Sequence, residues 1–291
     1  MTNDDQMPMS ATASLISPRL VSRVWGGERL AALGGSAATT PPIGEAWFGE
    51  IGSQNQPLVK LLDAADRLSV QVHPTDQLAA ELHGAGSIGK REAWVILDAA
   101  PGAHLLLGRD PAVSAEQLQR ALESGSDVVP LLAKIPVTAG DVLDVPPGTL
   151  HALMPGLLVW EVQQPSDRTY RVSDWGRSSS ERPLHHAEAL RAVNAAATAQ
   201  RVARLDWEAP GTRTLIGNDA FTVTVVVGPW SEPMQLPHGA IATLISKATV
   251  SGAAARVAGI ALEPLQSALM TAGLAAIEIP HGSALLFASR S

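Results

Sequence analysis

Short apolar runs recur along the chain, each bounded by glycine, proline or small polar residues. They lie at Leu68–Val72, Ala93–Leu97, His104–Leu107, Val142–Val145, Leu157–Val162 and Phe221–Val227. Runs of this kind, rich in Val, Ile, Leu and Trp, predict strands. The 21 prolines and 25 glycines break the chain at short intervals. Strands spaced this closely predict an all-β sandwich or barrel, because a doubly wound α/β sheet needs longer helical patterns between its strands.

Three segments carry helical signals. Asp76–His83 follows Pro74 and has Thr75 or Asp76 as its cap. Ser114–Glu123 starts at an N-cap serine, has Gln117 three residues on, and meets Gly125 just past its end. Leu184–Ala197 is Ala-rich and preceded by Pro183. It follows the polar run Arg177–Arg182, which is read as the join between a motif-rich region and a plainer one. The expected division is therefore 1–180 as the first domain, 181–204 as a helical connection, and 205–291 as a smaller β-domain. Strands are expected in the last part at Phe221–Val227, Ala242–Ile245 and Ala275–Ile279, and Gly34–Pro42 is expected to be a surface loop.

Composition narrows the chemistry. Hydrophobic residues make up 46% of the 291 and charged residues 17%, which predicts a folded chain. The net charge of -7 offers no long-range attraction to nucleic acid or anionic membrane. Any phosphate must be held by a few local cations in a pocket. With no cysteine, disulfides, thiolate metal sites and cysteine nucleophiles are excluded. No apolar run is long enough to suggest a membrane span. Met1–Leu15 carries Asp4 and Asp5 and no basic region, so no signal peptide is expected and the cytoplasm is the expected location.

Four segments concentrate side chains that can do chemistry. In Leu68–Asp76 (LSVQVHPTD), residues two apart share a strand face, so Gln71 and His73 project together and Pro74 ends the strand. Taken alone, this reads more simply as the polar face of an edge strand. In Gly89–Leu97 (GKREAWVIL), Lys90 and Glu92 share a face, and a surface ion pair is the plainer reading. In Ala139–Ala152 (AGDVLDVPPGTLHA), a Pro-Pro-Gly turn delivers Thr149 and His151, and the spacing G-D-x(4)-P-x-G-x-x-H is common among cupin barrels, where the histidine is a metal ligand. Two imidazoles, a carboxylate and an amide oxygen suit Zn²⁺, Mn²⁺ or Fe²⁺, and ligand type alone does not choose among them. In Gly156–Arg177, Glu161 and Gln163 share a face, while Arg168, Arg171 and Arg177 supply cations whose forked guanidinium suits phosphate. Lys134 is a further substrate-binding candidate. Gly84–Gly89 (GAGSIG) satisfies G-x-G-x-x-G only formally, since it follows a helix and leads into a strand, the reverse of a dinucleotide site.

In order and spacing these segments resemble the type I phosphomannose isomerase family. The matching stretches are RVWGGERL (Arg23–Leu30), IGEAWF (Ile43–Phe48), KLLDA (Lys60–Ala64), LSVQVHPTD, GKREAWVILDA, AGDVLDVPPGTLHAL and LLVWEVQQPSDRTYRVSDWGR, across roughly residues 20–185. The resemblance implies a cupin (jelly-roll) metal domain and a second, smaller barrel. It implies one zinc per chain on Gln71, His73, Glu92 and His151, and places the family's active-site arginine on Arg171. Lys90 and Glu161 are both candidates for the general base. The family usually has QVHPDD; here Thr75 replaces the first Asp and is read as a helix cap. The implied activity is interconversion of mannose 6-phosphate and fructose 6-phosphate through an enediol, with a sugar phosphate as partner, no nucleic acid or membrane, and a monomer or homodimer. A metal-dependent cupin oxygenase and a non-catalytic sugar-phosphate-binding cupin are the alternatives.

Overall fold

The computed structural model describes residues 10–34, 40–177, 182–197, 199–248 and 251–291. The middle of the expected Gly34–Pro42 loop and most of the polar run before Arg182 lie outside the described residues. The chain forms two compact units. One comprises residues 18–52 and 58–205; the other comprises residues up to 17, 53–57 and 206–291.

The larger unit is a sandwich of two antiparallel sheets. The strands, numbered in chain order after β1 (Ala13–Ile16) of the other unit, are β2 (Arg19–Ser22), β3 (Ile43–Phe48), β4 (Leu58–Ala64), β5 (Val70–Val72), β6 (Glu92–Ala99), β7 (His104–Arg109), β8 (Leu132–Pro136), β9 (Asp141–Val145), β10 (His151–Leu153), β11 (Leu157–Gln163), β12 (Tyr170–Ser173) and β13 (Gln200–Arg204). One sheet has the order β13-β9-β6-β11-β4-β3-β2 and the other β12-β5-β10-β7-β8. Leu62, Trp94, Ile96, Leu143 and Val159 from the first pack against Leu105, Leu107 and Leu153 from the second. This jelly-roll arrangement is the all-β fold that the strand spacing predicts.

The five-stranded sheet is covered on its other face as well. Val70, Val72, Leu106, Ala152, Tyr170 and Val172 meet Leu118 and Leu122 of α2 (Ala115–Ser124) and Ala189 and Ala192 of α3 (His186–Ala192). These strands therefore carry apolar side chains toward the helices. Alternation still operates inside them: the residues between the apolar ones, Gln71, His151 and Arg171, point to the sandwich interior.

The helix signals are realised closely. α1 spans Asp76–His83, with the Thr75 side chain accepting from the Leu78 N–H at 3.2 Å, so Thr75 is a cap here. Ser114 and Gln117 form a capping box on α2, which ends at Gly125 in the left-handed conformation. α3 is shorter than expected. At its start the His185 backbone is occupied with Arg171, and at its end Asn194 Oδ1 accepts the Ala196 N–H while the Asn194 N–H bonds Gly148 O. Side-chain-to-backbone bonds of this kind compete with helix continuation.

The smaller unit holds a six-stranded sheet of order β1-β20-β17-β23-β15-β14. Its members are β14 (Gly211–Gly217), β15 (Phe221–Val227), β17 (Ile241–Ser246), β20 (Ser267–Met270) and β23 (Ser283–Arg290), with β1. β16 (Met234–Leu236) pairs with β21 (Gly273–Ala275), and β18 (Ala255–Val257) lies between β19 (Ile260–Leu262) and β22 (Ile277–Glu278). The expected strand Ala275–Ile279 is thus split, because Ala276 O accepts the Ala258 N–H and the chain changes partner there.

The division of the chain differs from the one expected at the N-terminal strand, at residues 53–57, which belong with the smaller unit, and at residues 200–204. β1 pairs with β20, from Ala13 opposite Met270 to Ile16 opposite Ser267, so the N-terminal strand belongs with the C-terminal unit. Residues 200–204 form β13, which pairs with β9 as an outer strand of the larger unit's sheet. Both are long-range pairings that no local pattern reports.

The turn before His151 is tightly specified. Gly148 has φ +85°, and a Cβ there would lie 3.0 Å from Asn194 Cβ. Its N–H bonds His73 O at 2.9 Å, tying the two histidine-bearing segments together. Gly148→Ala is expected to cost about 1–2 kcal/mol from the left-handed conformation alone, read as a lower urea midpoint with unchanged slope.

Candidate active site and metal centre

Two cross-strand rows build the site, one on each inner face. On the seven-stranded sheet, Arg19, Trp47, Lys60, Glu161, Trp94 and Leu143 stand opposite one another in successive strands. The next row along places Glu92 opposite Gln163 and Val145. On the five-stranded sheet, Leu107, His151, Gln71 and Arg171 are in register. Directly opposite residues share a face, so the register aligns these side chains. Of these, Arg19, Trp47, Lys60, Glu161, Glu92, Gln71 and Arg171 line a cavity of about 410 Å³ together with Arg23, Glu45, Ser69, Lys90, Asp167, Thr169 and Arg182.

At one side of this cavity, ligand atoms of His73, Glu92 and His151 lie within 4.8 Å of one another. Glu92 is 0% exposed and His73 2%. His73 Nδ1 donates to Arg168 O at 2.9 Å and His151 Nδ1 donates to Thr149 O at 3.0 Å. A carbonyl only accepts, so both rings carry their proton on Nδ1 and turn the Nε2 lone pair inward. These nitrogens lie 3.2 and 3.5 Å from the Glu92 oxygens. Neither Glu92 oxygen receives a hydrogen bond of good geometry. Three convergent, buried acceptors of imidazole and carboxylate chemistry fit a divalent cation, and Lys90 Nζ also reaches this point, 3.4 Å from His73 Nε2. The Gln71 amide lies 3.2 Å from His151 Nε2 through its nitrogen, with Ser69 Oγ 3.4 Å from its oxygen. A half-turn of the amide exchanges the two ends and would bring its oxygen to the same point.

Charge is arranged unevenly around this centre. Burial pushes the Glu92 carboxyl up, but His73 and Lys90 outweigh it and hold it well below 4.5. Burial drives the His73 imidazole down to about 3 against the pull of Glu92, and burial likewise lowers His151, so both rings are neutral ligands. Lys90 Nζ lies 2.6 Å from Glu92 Oε1. Burial opposes its charge, yet Glu92 and Glu161 raise it above 10.5. Lys90 and Glu92 therefore form a firm ion pair.

Lys60 and Glu161 form a looser one, 3.4 Å apart. Burial, then Lys90, lowers the Lys60 ammonium. Burial, then the charge of Glu92, raises the Glu161 carboxyl. Both shifts favour moving the proton from lysine to carboxylate. Glu161 also accepts from Trp94 Nε1 at 2.9 Å, and Lys60 donates to Gln163 Oε1.

The structure brings together the sequence candidates Gln71, His73, Lys90, Glu92, His151, Glu161 and Arg171. It does not bring in Lys134. That residue is exposed on β8 opposite Leu106, whose side chain packs on the outer face, away from His151. Arg177 is likewise engaged elsewhere, with Asp174 and Asp66. Lys60, Glu45, Arg19, Arg23 and Arg182 line the cavity as well, though none of them is among the sequence candidates. Lys60 sits in the apolar run LVKLLDA, and a charged residue inside a fully buried strand is the one clue that could have marked it.

Proteins of known name resemble the chain in sequence and in fold. The probable mannose-6-phosphate isomerase GmuF of Bacillus subtilis is 37% identical over 214 residues, covering 61% of this chain and 67% of that protein. The chain belongs to the mannose-6-phosphate isomerase family. Another member, the mannose-6-phosphate isomerase of Streptococcus mutans, is 40% identical over 181 residues, which span 60% of this chain and 56% of that protein. No protein-family model matches the chain. Among solved members, the mannose 6-phosphate isomerase of Bacillus subtilis superposes with a TM-score of 0.75 at 24% identity, over 95% of this chain and 99% of that one. A zinc-bound mannose 6-phosphate isomerase superposes with a TM-score of 0.69 at 16% identity, over 96% of this chain and all of that one. These superpositions establish the shared cupin fold over the length of the chain.

Two outcomes are expected. His73→Ala and His151→Ala each abolish stoichiometric zinc uptake measured by elemental analysis after dialysis, whereas Lys134→Ala leaves it unchanged. Metal-free protein loses stability as pH falls from 6.5 toward about 3, because in that window the unfolded chain binds a proton at His73 that the buried ring refuses. Urea midpoints across that range should fall less steeply in His73→Gln than in the parent.

Proposed function

We propose that the chain is a zinc-dependent aldose–ketose isomerase that interconverts mannose 6-phosphate and fructose 6-phosphate. The observation that carries this reading is the buried His73, Glu92 and His151 centre beside two lysine–carboxylate pairs of opposite character. A zinc ion held by His73, Glu92, His151 and the Gln71 amide oxygen would supply Lewis-acid stabilisation of negative charge on the sugar oxygens.

Isomerisation moves a proton between C1 and C2 through an enediol. The residue that moves it must be able to lose and regain a proton near neutral pH. Glu161 suits this role: burial and Glu92 raise its carboxyl, and Lys60 beside it can take up or return the proton. Lys90 does not suit it, because its ion pair with Glu92 keeps it charged. Lys90 instead offers a fixed positive charge to oxygens that become negative along the reaction.

The remote phosphate needs cations at the mouth of the cavity. Arg171 supplies one: its Nε is buried without a partner, and Nη1 donates to Pro183 O at 3.0 Å. Arg23 and Arg182 lie near enough to lower its affinity for its proton, after burial itself. Holding the phosphate orients the reacting end, so a substrate without phosphate loses rate as well as affinity.

A coupled assay for conversion of mannose 6-phosphate to fructose 6-phosphate, on metal-stripped protein with and without zinc, tests the reading. Turnover restored by zinc is the expected result, and no turnover from folded, zinc-loaded protein would reject it. Glu161→Gln should lower kcat by roughly 100-fold or more, the scale of general acid–base catalysis. Arg171→Ala should lower kcat/KM for mannose 6-phosphate about 10- to 100-fold, the scale of a charged hydrogen bond, with a smaller effect on unphosphorylated mannose.

A further inference from the structure

β12 is an edge strand, so its outward backbone groups need partners from outside the sheet. Arg171 finds both at His185. Arg171 O accepts the His185 N–H at 2.8 Å, and the Arg171 N–H donates to His185 Nδ1 at 3.1 Å. Two residues earlier, Pro183 O accepts from the guanidinium of Arg171. Arg182 then fixes the segment to Asp174, just past β12, through two bonds of 2.7 and 3.1 Å to a buried carboxylate. On its other side Arg171 is in register with Gln71, at the metal centre.

The segment 182–185 therefore completes one rung that a neighbouring strand would otherwise supply, and it touches the guanidinium as well. His185 is suited to this because its backbone turns there, at φ -122° and ψ 57°, before α3 begins. Its N–H and its Nδ1 lone pair face β12 together. We infer that His185 is a positioning residue for Arg171: its Nδ1 takes the Arg171 N–H and fixes the edge strand that aims the guanidinium into the cavity. The inference rests on the proposed role of Arg171 in holding the sugar phosphate.

The contact requires a free lone pair on Nδ1. Asparagine can place its amide oxygen at the Nδ1 position, glutamine reproduces Nε2, and alanine reproduces neither. The test is a double-mutant cycle of His185 and Arg171 in kcat/KM for mannose 6-phosphate, with amide exchange at Arg171 measured in parallel. His185→Ala is expected to lower kcat/KM about five- to tenfold, the range of one net hydrogen bond. His185→Asn should restore most of that and His185→Gln little. In the Arg171→Ala background His185→Ala should cost less than about twofold, because contacting residues that act together are not additive. Amide exchange at Arg171 should accelerate in His185→Ala and return to the parent rate in His185→Asn.

The full cost of His185→Ala persisting in the Arg171→Ala background would overturn the inference. So would parent-like kcat/KM in His185→Ala, or asparagine failing as badly as alanine. Exchange needs no turnover, so it separates the two claims. A parent protein without isomerase activity would reject the functional reading, and unchanged exchange at Arg171 would reject the role of His185.

Discussion

A carboxylate with no access to water governs the larger unit. Glu92 is fully buried, and an ionised carboxylate in that position is tolerated only when opposite charge and oriented dipoles surround it. Lys90 supplies one charge. Two imidazole nitrogens and the carboxylate itself converge within 4.8 Å of one another, a set of acceptors suited to a cation. The fold around them satisfies this demand from several directions. Carbonyls of Arg168 and Thr149 fix the ring protons on the outer nitrogens, and Gly148 links the His151 turn to the His73 segment.

Sheet register carries that demand outward. A sandwich of two sheets presents two inner faces, and only side chains at matching levels can meet across it. Here the level of Lys60 and Glu161 on one sheet and that of Gln71 and Arg171 on the other bound the same cavity. A slip of one residue in any of these strands would turn its polar side chain outward and an apolar one inward. The same alternation explains Lys134, whose position opposite Leu106 puts it on the far face.

Two lysine–carboxylate pairs sit close together and behave differently. Lys90 with Glu92 is short and is held in the charged state by its surroundings. Lys60 with Glu161 is longer, and each partner is displaced toward neutrality. Like charge between the lysines and between the carboxylates separates them: Lys90 works against Lys60, and Glu92 works against Glu161. The contrast divides one site into a part that holds charge and a part that can move a proton.

Much of this was legible in the amino-acid sequence. The strand runs, the caps at Thr75 and Ser114, and the turn delivering His151 are local, and local physics sets them: turn residues have required conformations and N-caps satisfy open N–H groups. Metal-ligand candidates were legible because imidazole and carboxylate stand out where strand alternation calls for a polar position. Tertiary structure alone decided the rest. Which strand lies beside which depends on pairings between distant residues, as with β1 on β20 and β13 on β9. Burial made Glu92 a centre where its sequence context read as a surface ion pair. Proximity across the sheets recruited Lys60, Glu45, Arg19, Arg23 and Arg182, and excluded Lys134. Those outcomes depend on distance and desolvation, and neither is a property of neighbouring residues along a chain.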